Sequence, residues 1–112
     1  MIFKILSQTE WAVAKESGTF VGSAVDLKDG FIHFSNGNQV LETLQKHFAG
    51  QDDLVLLGVE ELSLGEGLKW EVSRGGDLFP HLYQELNTDL VCFVADIGQD
   101  TNGKHLLPDL PQ

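Results

Sequence analysis

The chain alternates short apolar runs with polar punctuation, and the spacing inside each run predicts an element. "IFKIL", from Ile2 to Leu6, reads as a first strand with Ile2, Lys4 and Leu6 on one face and Phe3 and Ile5 on the other. Ser7 with Glu10 three residues later is a capping-box pattern, so a helix is expected over about Gln8 to Ser17, stopped by Gly18. Residues 18–29 show no clear period and read as loop or short irregular strand, closed by the "KDG" turn. Phe31 to Ser35 reads as a strand, with Phe31, His33 and Ser35 on one face and Ile32 and Phe34 on the other. Val40, Leu41, Leu44 and Phe48 recur at helical spacing, which predicts a helix from about Asn38 to Ala49 ended by Gly50. "DLVLLGVE" has the length and continuous apolarity of a central strand. "LKWEV" is a further strand, with Trp70 facing opposite to Glu71; "SRGGDLFP" is a hairpin-like loop; "HLYQEL" is a strand or a short helical turn. "DLVCFVADI" is the last strand, and the tail from about residue 102, with two prolines, is expected to wrap or fray.

Two early helices beside a strand-rich second half give an α+β fold class, one globular domain over residues 1–112. The 42% apolar content suits a globular chain, and no apolar run approaches the ~18 residues of a membrane helix. The start "MIFKILSQTEW" turns polar too soon for a signal peptide. The lone cysteine, Cys92, rules out a disulfide within the chain and points to a reducing, cytoplasmic setting. Its apolar neighbours predict a packed, inert thiol. Seventeen acidic residues against seven basic ones give a net charge of -10. Such a surface repels phosphate backbones and anionic lipids, which argues against nucleic-acid and membrane partners and leaves a small-molecule ligand.

The residues that could carry chemistry are Lys4, His33, Ser35, Glu71, Arg74, His81 and Tyr83. His33 is either a core histidine bonded to backbone or a polar group lining a cleft beside Ser35, where it could move a proton. Pro80 fixes the backbone before His81, and in an extended segment His81 and Tyr83 point the same way. Both could equally anchor a loop. Glu71 is either a solvated strand residue opposite Trp70 or a carboxylate that stabilises positive charge at a sugar carbon. Arg74 could pair with Glu71 or clamp a phosphate. His47 and His105 read as structural and tail residues. No P-loop, Rossmann glycine fingerprint, HExxH, paired CxxC or GxSxG is present. No standard metal site is signalled, and His33, His81 and Glu71 would make a two-histidine, one-carboxylate set only if the fold joined them.

"DGFIHFSNGNQV", "HFAGQDDLVLLGVE", "LKWE" and "FPHLY", in this order and spacing, resemble the small bacterial family called domain of unknown function 952. The resemblance runs from about Ile2 to Ile97 and is most specific at "GFIHFS" and "FPHLY". It implies a fold like that of the NAD-binding ADP-ribosyltransferases: two small, mostly antiparallel sheets around a cleft with two flanking helices. It further implies NAD or an ADP-ribose-like compound as ligand, and a divergent ADP-ribosyl or phosphoribosyl transferase as the activity. His33, Glu71, His81 and Tyr83 match the family pattern; the expected catalytic residues are Glu71 and His33, and the expected ligand-binding ones Lys4, Ser35, Arg74, His81 and Tyr83. Two positions depart from the pattern. Lys4 stands where relatives often carry a histidine, and Gln84 follows "FPHLY" where relatives carry glycine. These departures keep two other readings open: a noncatalytic module for a small molecule or peptide, and a structural protein whose polar residues satisfy one another.

Overall fold

The structure is a computed structural model describing residues 1–111, with the side chain of Arg74 outside that description. Strand β1 (Ile2–Ser7) is buried on both faces. It lies between β4 (Ser35–Asn36) and β5 (Leu54–Val59), and β5 is the middle strand of a five-stranded antiparallel sheet ordered β10-β9-β5-β1-β4. Strand β9 (Val91–Gln99) follows β5 along its length, and β10 (His105–Leu106) adds the outer edge. Ile2 and Leu6 join Val55, Leu57 and Val59 in one apolar cluster, while Phe3 and Ile5 join Val40, Leu44 and Leu56 in the other. The period-two reading of "IFKIL" therefore holds. The tail wraps: Leu107 and Leu110 pack on the second cluster.

Helix α1 (Gln8–Ser17) starts as the sequence predicts. The Glu10 amide donates to Ser7 Oγ and the Ser7 amide to Glu10 Oε1, both at 3.0 Å, and Gly18 closes the helix at φ +87°. Helix α3 (Val40–His47) buries Val40 and Leu44 and leaves Leu41 exposed.

A three-stranded antiparallel sheet, β3 (Ile32–His33), β7 (Leu78–Leu82) and β6 (Leu68–Val72), carries the candidate site. Ile32, Leu68, Trp70 and Leu82 face the first cluster, so their strand neighbours His33, Glu71 and His81 face away from it. A two-stranded sheet pairs β2 (Thr19–Phe20) with β8 (Leu86–Asn87).

The architecture is one α+β domain with three antiparallel sheets and three α-helices among the described residues, where the pattern predicted two helices and the resemblance implied two sheets. The added helix, α2 (Ala24–Asp29), lies in the stretch read as loop or short irregular strand. It is too short to show a helical period, and its N-terminal signal is Ser23 with Asp26 three residues on. A second correction concerns "FIHFS". The run is split at Phe34, whose amide donates to Pro80 O at 3.0 Å, so β3 and β4 belong to different sheets. "LFP", read as loop, is the start of β7, and Cys92, read as packed, is exposed. No helix among the described residues is long and apolar enough to cross a membrane.

Candidate functional site

The register of β3 on β7 sets His33 directly opposite His81. Directly opposed residues share a sheet face, and their rings meet edge to face with centroids 5.6 Å apart. Phe31 lies over both, 4.5 Å from His33 and 4.1 Å from His81, and reaches Tyr83 at 5.2 Å. The two histidines differ in what holds them.

His33 is tied to acids at both nitrogens. Nδ1 is 2.6 Å from Asp26 Oδ1 and Nε2 is 3.0 Å from Asp29 Oδ2. A carboxylate only accepts, so Nδ1 is the donor in the bond to Asp26, while Asp29 stands at ion-pairing distance from Nε2. Asp26 is the hub beneath it. Its carboxylate also accepts from the His33 amide at 3.1 Å, the Ser23 amide at 2.8 Å and the Lys4 ammonium at 2.9 Å, while only 2% of the residue is exposed. Burial alone would raise the Asp26 carboxyl. The bond from His33 and the nearby Lys4 charge outweigh it and hold the carboxyl at about 2. Lys4, 5% exposed, is pushed down from its usual range by burial, against the opposing pull of Asp26.

His81 is held at one nitrogen only. Nδ1 lies 2.8 Å from Glu71 Oε1, which also accepts from the Tyr83 hydroxyl at 2.6 Å. Those two donors, Tyr83 before His81, keep the Glu71 carboxyl below the usual carboxylate range. The same bond pushes the Tyr83 phenol up. His81 Nε2 has no hydrogen-bond partner among the described residues, and the residue is 5% exposed. With Nδ1–H given to Glu71, the neutral ring presents its lone pair at Nε2.

The fold thus brings Glu71, His81, Tyr83 and His33 to one face. It takes Lys4 beneath that face, onto Asp26. Ser35 leaves the group altogether: on β4 it is buried, with Oγ 3.0 Å from Thr43 Oγ1 of α3. The expectation that Ser35 flanks His33 fails because the strand breaks at Phe34. The side chain of Arg74 lies outside the described residues, and Glu71 takes His81 and Tyr83 as its partners. Sequence reasoning missed Asp26, Asp29 and Phe31. For Asp26 the available signal was its place three residues after Ser23. Among the described residues no three His, Cys, Asp or Glu side chains converge as metal ligands.

This is a small α+β domain with a histidine–carboxylate face on its three-stranded sheet. Residues 5–94 match the family described as "Protein of unknown function (DUF952)", and the chain belongs to that family. Protein CC0527 from Caulobacter crescentus is similar throughout. Its crystal structure shares 56% identity, covers 94% of this chain and 92% of its own, and superimposes with a TM-score of 0.90. Its solution structure gives 58% identity, 91% and 88% coverage and a TM-score of 0.81. No curated protein matches the chain.

Proposed function

We propose that the Glu71–His81–Tyr83 face binds the ribosyl part of NAD or of an ADP-ribose-like compound. The observation that carries this reading is the pairing of an ionised Glu71 carboxylate with a histidine whose Nε2 has no partner among the described residues. A carboxylate fixed by two donors is suited to a sugar carbon that gains positive charge as its glycosidic bond weakens. His81 Nε2 is placed to accept from a sugar hydroxyl or from an attacking water. This moves the expected acid–base role from His33, whose nitrogens are both taken, to His81. The ADP-ribosyltransferase-like fold that the sequence motifs imply supports the ligand class by analogy only, because fold does not carry function.

A binding module without turnover is favoured by one specific observation. His33 is closed on both sides by Asp26 and Asp29 and offers no free nitrogen to a substrate.

The test is a titration of isotope-labelled protein with NAD and then ADP-ribose, read by amide and histidine-ring NMR. Saturable shifts at Glu71, His81 and Tyr83 support the reading, and a nicotinamide-release assay then separates turnover from binding. No shift at millimolar ligand removes it, since binding weaker than about -4 kcal/mol leaves the site empty at working concentrations.

A further inference from the structure

We infer that a pocket between α2 and the turn after β7 is a binding site for a small organic cation such as an alkylguanidinium. The pocket encloses about 240 Å³, and its lining includes Asp26, Leu27, Gly30, Phe31, Tyr83 and Glu85. That is below the roughly 300–1,000 Å³ of pockets for drug-sized ligands, so the matching group has only a few heavy atoms. Three features define its chemistry.

The first is aromatic. Phe31 and Tyr83 both line the pocket, their centroids 5.2 Å apart and their rings tilted by 40°. A cation within ~6 Å of such a ring is attracted by the negative π face.

The second is charge. The carboxyl groups of the lining are Asp26 and Glu85, and among the described residues no Lys, Arg or His lines the pocket. Asp26 is already answered by Lys4 and His33. Glu85 makes no hydrogen bond or ion pair with another described residue, so its charge is the one left for a ligand.

The third is the field of the whole chain. A net charge of -10 concentrates cations at an acidic mouth and repels anions from it. A neutral planar group would keep only the contact with the rings and lose the charge.

This site shares Phe31 and Tyr83 with the ribosyl face but not Glu71 or His81, and it does not depend on the nucleotide reading. The test compares n-propylguanidinium with n-propylurea, nearly the same shape without the charge, by NMR at constant ionic strength. The expected result is saturable shifts at Phe31, Tyr83 and the Glu85 amide, with the cation binding about tenfold tighter than the urea. Glu85→Gln, on an exposed residue, is expected to remove most of that difference and leave urea binding unchanged. Equal affinity for the two probes overturns the inference. So do unsaturable shifts spread over the other acidic side chains. Saturable guanidinium binding in a protein that ignores NAD supports this site and removes the nucleotide reading. NAD binding without guanidinium binding does the reverse.

Discussion

His33 and His81 stand opposite each other on β3 and β7, each with Nδ1 on a carboxylate, yet only His81 keeps a nitrogen without a partner among the described residues. The difference traces to Asp29, which caps His33 Nε2 from the end of α2. The paired histidines therefore differ in how they are held, His33 between two acids and His81 at one nitrogen.

Asp26 is the electrostatic keystone beneath His33. Asp26→Asn leaves the Lys4 ammonium buried beside a neutral amide, and the expected loss of stability is about 3–5 kcal/mol. Urea unfolding of the two proteins at pH 7 measures it. A difference under about 0.5 kcal/mol, the usual range for surface changes, would remove the keystone role.

The same carboxylate sets an acid limb. Its folded value of about 2 lies below its ordinary 3.8, so the stability it adds is fully present above 3.8 and is lost as pH falls through about 2. The shift corresponds to about 2 kcal/mol. The unfolding midpoint of the wild type is expected to fall between pH 5 and pH 2 by more than that of Asp26→Asn. Parallel pH profiles for the two proteins would contradict this.

Gly22 guards the hub. Its φ is +120°, and a Cβ there would lie 2.9 Å from the Asp26 Cβ. Gly18 has φ +87° but open space around it. Gly18→Ala is expected to cost about 1 kcal/mol for the backbone alone. Gly22→Ala adds a clash and should cost about 1–3 kcal/mol more. Equal costs in thermal unfolding would mean that Asp26 moves aside freely.

Tyr83 is the single tyrosine of the chain, so phenolate absorbance reports it alone. Its titration midpoint is expected above the ordinary 10.0, because Glu71 accepts its proton and ionisation would set two negative charges together. In Glu71→Gln the midpoint should fall back toward 10.0. A midpoint that ignores this substitution would dissolve the Glu71–Tyr83 bond and the reading built on it.

The identity of most of the face was legible in the sequence, but its wiring was not. Period two along "HLY" put His81 and Tyr83 on one side, and they are there. The same rule misplaced Ser35, because a one-residue break at Phe34 sends the next residues to another sheet. Helical spacing found α3 but put Leu41 on its buried stripe, since which flank of a stripe is covered depends on what packs against it. Cys92 looked packed from its neighbours. On β9, however, successive residues face opposite sides, and Cys92 falls on the exposed one.

By itself, the sequence determined the features that close over a few residues: the Ser7–Glu10 capping box, the Gly18 stop and the apolar run of β5. Each rests on local hydrogen bonds or on an unbroken run, and neither needs the rest of the chain. Only the tertiary structure decided that Lys4 is a buried counter-ion, that Asp26 sits beneath His33, and that Asp29 rather than a ligand holds the second nitrogen of that ring. Lys4 and Asp26 are 22 residues apart, and nothing in their spacing marks them as partners. Burial joins them: once β1 is covered on both faces, its one charged side chain must find an opposite charge or give up its proton, and α2 delivers the carboxylate.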